Sequence, residues 1–380
     1  MSSTKHLRSL DGIRGIAIVL VLCSHSGELL QDIPHSRLLG FGNYGVDLFF
    51  VLSGFLITSI LLRQKSQPHY FRNFYLRRAL RIWPIYFLFL FSMFGLVALL
   101  PHLHSYQHLV ANSKFLQENP LSIVTPLAVC VVLMQNLWWP SLFSFKDATG
   151  VTWSLCIEEQ FYFVWPLIVK RLSPRALKTL LMIVIALQPL LRAIVFHYSK
   201  ADIGVKWQVV TRFPIFHLDG IATGSLLALV WPDLQGRRET RVALYLLSLL
   251  CVPLAILFMR TTNPMSYTVA ALISVCLTGM ALLRIGERVL ASAPLVFMGT
   301  ISYGLYLIHS AVFLLFHSRS MFRMLGLYHH PWATELVSTA VAVAISIGLA
   351  ALSRFTYEQF FLSLKDRRAR PITVSARTSR

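Results

Sequence analysis

Apolar residues in this chain come in uninterrupted blocks rather than in the one-sided stripe of a soluble helix. A bilayer core about 30 Å thick takes roughly 20 helical residues at about 1.5 Å each. Blocks of that length lie at about 11–30, 44–62, 83–101, 154–170, 178–197, 213–231, 242–259, 267–284, 298–316 and 335–354. They predict an all-α integral membrane protein with about ten transmembrane helices. A further block at about 121–137 is flanked or broken by Pro120 and Pro126 and leaves through Asn136, Leu137, Trp138, Trp139 and Pro140. It predicts one additional re-entrant or interfacial helix, with Trp138 and Trp139 suited to a membrane–water boundary.

Charge placement orients the blocks. Arg63, Lys65, Arg72, Arg77, Arg78 and Arg81 follow the second block, and Lys170, Arg171, Arg175 and Lys178 follow the fourth. Arg237, Arg238 and Arg241, then Arg284 and Arg288, and last Lys365, Arg367, Arg368 and Arg370 complete the series. Ten crossings with an inward N-terminus put all five clusters in the cytoplasm, as the positive-inside rule requires. An eleventh crossing at 121–137 turns the last four outward. The expectation is a multi-pass protein of the inner (cytoplasmic) membrane with both termini cytoplasmic. Residues 1–364 form one membrane domain, and 365–380 a basic, disordered cytoplasmic tail with no soluble domain after it. The first block, behind Lys5, His6 and Arg8, lacks a cleavage site and is expected to stay.

Composition narrows the classes. Of 380 residues, 56% are hydrophobic and 13% charged, and mean hydropathy is +0.62, which excludes a soluble globule and a disordered chain. The net charge of +19 sits mostly between apolar blocks, where membrane lipid rather than nucleic acid is its counterpart. Cys23, Cys130, Cys156, Cys251 and Cys276 lie inside apolar stretches without a CxxC spacing and read as buried thiols.

Ionisable groups inside the blocks stand out, because each costs at least ~2.5 kcal/mol on insertion scales. Arg14 and His25 are eleven residues apart on the first block, about 20° from three full turns, and share a face. Glu28, one turn beyond His25, stands where it would orient or charge-balance that ring. Asp47 opens the second block at about the depth of His25. Trp153, Ser154 and Glu158 open the fourth, with Ser154 and Glu158 on one face. On the inner side Arg78 and Arg81 form a guanidinium ridge suited to phosphate. The arginines therefore fall at one depth, and His25, Asp47, Ser154 and Glu158 at another. The gap is comparable to an extended pantetheine arm, over which a coenzyme A thioester held by its phosphates would present its acyl group.

Five motifs in order carry a family resemblance: Leu10-Asp11-Gly12-Ile13-Arg14-Gly15 with His25, GVDLFFVLSGFLIT ending at Thr58, FYLRRALRIWPIY from Phe74, TWSLCIEEQFY from Thr152, and ISYGLYLIH from Ile301 to His309. From about Leu7 to Phe361 the chain resembles the membrane-bound acyltransferase 3 family. The resemblance implies a ten-span O-acetyltransferase that moves an acyl group, commonly acetyl, from cytosolic acetyl-coenzyme A to an acceptor hydroxyl. It implies sugars of lipopolysaccharide, exopolysaccharide or glycolipid as acceptors, and occasionally macrolides. The family's first-span arginine and histidine correspond to Arg14 and His25, and its RxxR motif to Arg78 and Arg81. Two positions depart: His217 stands where an arginine is expected before Asp219, and no proline closely follows Glu358.

For acyl transfer, His25 suits either the general base or a covalent acyl relay. Arg14, Arg78 and Arg81 are expected to bind the coenzyme, and Glu158 and Asp47 to orient His25 or bind sugar hydroxyls. Trp153, Ser154, Tyr303 and His309 are expected at the acceptor. No metal is implied: His102, His104 and His108, and His329 and His330, read as solvated loop histidines. A homo-oligomer or glycan-assembly partners are compatible with the sequence. The alternative from another class is a proton-coupled transporter or flippase, since intramembrane His, Glu and Asp also build proton relays.

Overall fold

A computed structural model describes residues 7–30, 33, 36–99, 124–137, 149–260, 263–317 and 331–368. Every described element is helical. The helices are α1 (Arg8–Leu29), α2 (Gly45–Gln64), α3 (Tyr70–Leu99), α4 (Val124–Val131), α5 (Thr152–Arg171), α6 (Pro174–Tyr198) and α7 (Ile203–Arg212). They continue as α8 (Asp219–Leu234), α9 (Arg238–Arg260), α10 (Ser266–Leu282), α11 (Glu287–Leu290), α12 (Ala293–His317), α13 (Pro331–Phe355) and α14 (Tyr357–Arg368). The protein is an all-α membrane protein in which each of the ten apolar blocks overlaps a helix. Among the described residues, seven helical stretches are long and apolar enough to cross a bilayer. The other three blocks fall on α5, which carries Glu158, Glu159, Lys170 and Arg171, on the 16-residue α8 and on the 17-residue α10.

α2 and α12 form much of the interior. The apolar windows of α2 and α12 are 67% and 61% buried, whereas those of α6 and α9 are 17% and 11% buried and turn their apolar sides outward. Close packing between membrane helices depends on small residues that let backbones approach. Along α1 and α12, a Cβ on Gly15 would lie 2.1 Å from the Leu295 carbonyl oxygen, and His25 meets His309 further on, so the two helices run parallel. Between α2 and α8, a Cβ on Gly54 would lie 2.0 Å from the Ile221 carbonyl oxygen. Asp47 pairs with His217 just before α8, and this pair also runs parallel.

α5 lies parallel to α2, joined by Ser53 to Glu158 and by Trp165 Nε1 donating to Thr58 Oγ1 at 2.8 Å. The basic ends of these two helices meet, with Lys65 Nζ donating to the Leu172 carbonyl at 2.7 Å and Lys170 Nζ to that of Lys65 at 2.5 Å. α3 runs antiparallel to α5, its Tyr70 and Tyr75 hydroxyls donating to the carbonyls of Pro166 and Phe163 at 3.2 and 2.8 Å.

Three expectations change. α3 begins at Tyr70, so Arg77, Arg78 and Arg81 are helical residues and not part of a basic loop; the tyrosine bonds to α5 extend the helix into the charged stretch. The 121–137 block holds the eight-residue α4 and a turn in which Gln135 Nε2 donates to Tyr86 Oη at 3.1 Å and Thr152 Oγ1 at 3.0 Å. Eight residues rise about 12 Å, too little to cross; 121–123, Trp138 and Trp139 lie outside the described residues. α14 runs to Arg368, so the tail boundary expected at 364 falls inside a helix, and 369–380 lie outside the described residues. Of the five cysteines, Cys23 is half-buried and the other four are buried.

Candidate active site

Five long helices enclose a cavity of about 110 Å³. α1 contributes Arg14, α3 contributes Arg78 and Arg81, α5 contributes Ser154, Glu158 and Tyr162, and α12 contributes Ser302, Tyr303 and Tyr306. Phe49, Phe50 and Ser53 of α2 line it as well. Three guanidinium groups thus converge on one small space. Arg14 donates to Asp11 Oδ1 at 2.9 Å within its own helix. The Arg78 guanidinium carbon stands 5.6 Å from the Tyr162 ring centroid and 5.9 Å from that of Phe74, a cation–π bracket that fixes the plane of the group.

Glu158 faces these cations from α5. Its Oε1 accepts from Ser53 Oγ at 2.5 Å and its Oε2 from the Tyr162 hydroxyl at 3.2 Å, while that hydroxyl also lies 3.1 Å from Ser53 Oγ. Ser154 and the Tyr306 hydroxyl are 2.6 Å apart, and Tyr306 donates to the Val151 carbonyl at 2.9 Å. Tyr303 ties α12 to α3 by donating to the Ile82 carbonyl at 3.1 Å.

His25 does not line this cavity. It is half-buried and packs edge-on against His309 of α12, with ring centroids 4.9 Å apart. Its Nδ1 lies 3.0 Å from the Val21 carbonyl oxygen, and His309 Nδ1 lies 3.0 Å from that of Leu305. A carbonyl oxygen only accepts, so both rings carry their proton on Nδ1 and, when neutral, present the lone pair of Nε2. His309 is fully buried, and its Nε2 has no hydrogen-bond partner among the described residues. The Tyr306 ring, 5.8 Å from that of His309, connects the histidine pair to the cavity.

Asp47 belongs to a third cluster. Its Oδ1 lies 3.0 Å from His217 Nε2, beside a buried Arg192–Asp219 ion pair at 2.8 Å. Trp153 stacks on the His217 ring at 5.7 Å and touches Phe50 edge-on at 6.2 Å.

The sequence-predicted residues therefore separate into three groups. Arg14, Arg78, Arg81, Ser154, Glu158 and Tyr303 come together in the cavity, His25 and His309 form the pair above it, and Asp47 and Trp153 go to the His217 cluster. The expected roles of Asp47 and Glu158 in orienting His25 find no contact, since both carboxylates are bonded elsewhere: Asp47 to His217, Glu158 to Ser53 and Tyr162. The Glu28 side chain, His102, His104, His108, His329 and His330 lie outside the described residues. Sequence reasoning missed Ser53, Tyr162 and Tyr306. Tyr162 follows Glu158 by four residues and Tyr306 precedes His309 by three, a helical spacing that marks them as neighbours of residues already singled out.

The chain matches the family described as acyltransferase domain over residues 7–351. It is 30% identical over 337 residues to the peptidoglycan O-acetyltransferase OatA of Listeria monocytogenes, covering 81% of this chain and 49% of that protein. It is 28% identical to the putative peptidoglycan O-acetyltransferase YrhL of Bacillus subtilis, over 82% of this chain and 49% of the relative. For the O-acetyltransferase OatA of Staphylococcus aureus the identity is 26%, over 91% of this chain and 57% of the relative. The chain thus spans about half the length of the curated relatives it matches. No solved structure matches it. With five ordered motifs and a family match over nearly the whole chain, this protein belongs to the membrane acyltransferase family.

Proposed function

We propose that the protein is a membrane O-acetyltransferase that takes an acetyl group from cytosolic acetyl-coenzyme A and passes it to a glycan hydroxyl. The observation that carries this reading is the meeting of Arg14, Arg78 and Arg81 in one small cavity, whose three guanidinium groups suit the phosphates of a coenzyme. Lysine or arginine in a topology signal needs no cavity, and these three share one.

The chemistry divides between the two sides. The guanidinium groups hold the donor's phosphates, and the pantetheine arm carries the thioester past Tyr306 to His25 and His309. His25, with Nδ1 held by the Val21 carbonyl, offers Nε2 as general base. It takes the proton of the acceptor hydroxyl as that oxygen attacks the thioester carbonyl carbon. The new C–O bond replaces the C–S bond, the thiolate leaves with its electron pair, and the imidazolium proton neutralises it. An acyl-histidine relay on Nε2 uses the same atoms in two steps. His309 and Tyr306, between His25 and the cavity, bind the acceptor or orient the base.

The names of the relatives point to a peptidoglycan sugar as the first acceptor to test, ahead of lipopolysaccharide, exopolysaccharide or glycolipid. The charge pattern and the parallel packing of α1 with α12 and of α2 with α5 and α8 support ten crossings with both termini cytoplasmic in the inner membrane. The decisive experiment uses the full chain in nanodiscs with radiolabelled acetyl-coenzyme A and soluble peptidoglycan fragments. Label recovered as an alkali-labile ester on the glycan is expected. Absence of both transfer and saturable coenzyme binding would overturn the reading.

A further inference from the structure

His217 enters α8 with both ring nitrogens on oxygen atoms. Nδ1 lies 2.8 Å from the Thr211 carbonyl oxygen and Nε2 lies 3.0 Å from Asp47 Oδ1. The carbonyl has no proton to give, so Nδ1 carries one. A neutral imidazole has a single N–H, so the bond at Nε2 needs another proton. It resides on the ring, as imidazolium against carboxylate, or on Asp47, as carboxylic acid against neutral ring. In both states the pair holds one proton more than a neutral histidine beside a carboxylate.

The charge count in the surroundings agrees. The groups facing His217 and Asp47 are Asp219 on α8, Arg192 on α6, and the phenols of Tyr267 on α10 and Tyr44 before α2. Arg192 pairs with Asp219 at 2.8 Å, both also bonded to the Thr268 hydroxyl, and both side chains are 0% exposed. Two carboxylates against one guanidinium leave a buried negative charge, which is costly in a dry interior. The extra proton removes it. Among the described residues, Asp47 Oδ2 and Asp219 Oδ1 have no hydrogen-bond partner that would compensate the charge instead.

We propose that the Asp47–His217 pair is a proton-binding site that locks α2 to the entrance of α8 and thereby holds one wall of the arginine cavity. Phe50, whose ring is 5.4 Å from that of His217, lines the cavity, and Trp153, stacked on His217, immediately precedes the cavity residue Ser154. Release of the proton leaves an unpaired charge at the joint and loosens that wall. The proton site stands independently of acyl transfer; its effect on the cavity rests on that reading.

The test is heat unfolding of the full chain in nanodiscs between pH 6 and 9.5, comparing wild type with H217R and D47N. The unfolded chain gives up its histidine proton above about pH 6.5. The folded pair retains it, so the stabilisation is complete below that pH and disappears as pH rises through the pair's own titration. Across that window the wild-type unfolding constant increases about tenfold more per pH unit than that of H217R, whose guanidinium keeps its charge. D47N removes the surplus carboxylate, offers the neutral ring an amide donor at Nε2 and likewise lacks the extra slope; it decides alone if H217R does not insert. Identical slopes in wild type and variants overturn the proton site. Coenzyme A affinity over the same range tests the wall. Loss in wild type beyond that in H217R supports the coupling, and parallel loss in both overturns it. Absence of coenzyme binding in every protein counts against the acyl-transfer reading and leaves the unfolding result to decide the proton site.

Discussion

The proposed chemistry rests on the side chains that differ most from their surroundings. Arg78 lines the cavity and packs its guanidinium against the Tyr162 and Phe74 rings, so its shape matters as well as its charge. Arg78→Lys keeps the charge and loses the fork and the stacking. We expect its donor KM to rise about tenfold while kcat changes less, and Arg78→Ala to lose donor binding by more; isothermal titration with coenzyme A checks both. His25→Ala is expected to leave coenzyme binding intact and lower transfer by about 10² to 10⁴, the range of a lost general base. A steady-state acetyl-transfer assay at saturating donor checks it, and wild-type turnover would remove His25 from the mechanism. Arg14, Arg78, Arg81, Ser154 and Glu158 were legible in the sequence because polar groups in apolar blocks need a reason. Their partners were not, because Ser53 and Glu158 are 105 residues apart and nothing local joins them.

Helices were legible wherever apolarity ran continuously, and their limits were not. α3 gains its first two turns from phenol bonds to carbonyls on α5, contacts absent from its own sequence. Rotation and depth were both misread: Ser154 and Glu158 were expected at the level of His25, away from the arginines, yet they line one cavity with Arg14, Arg78 and Arg81, and α2 turns Asp47 toward α8. Backbone contact at Gly54 fixes the rotation of α2. Gly54→Val must push α2 away from the Ile221 carbonyl and is expected to cost about 1–3 kcal/mol. Gly348→Ala on α13, where the added carbon meets nothing within 4 Å, serves as the control. Thermal unfolding in detergent should lower the midpoint for the first and leave the second unchanged.

At the scale of the whole molecule, charge and packing make independent statements about topology. In a chain of ten crossings the first and ninth helices run the same way, as do the second, fourth and sixth. α1 with α12, α2 with α5 and α2 with α8 are all parallel, and α3 opposes α5. A crossing at 121–137 would make α2 and α5 antiparallel, which the paired contacts of Ser53 with Glu158 and of Thr58 with Trp165 do not permit. The basic ends then gather on one side, where Lys170 of α5 reaches Lys65 after α2 and Lys178 of α6 lies 3.6 Å from Asp233 of α8. Truncations fused to a fluorescent protein that matures only in the cytoplasm, or to a phosphatase active only outside it, read each side directly. Fusions after Leu172 and Gln235 are expected to fluoresce, and those after Tyr198 and Asn263 to show phosphatase activity. Reversal at all four positions, with the fusion after Lys65 still fluorescent, would mean that 121–137 crosses, and the arginine cavity could then no longer be assembled from helices running in these directions.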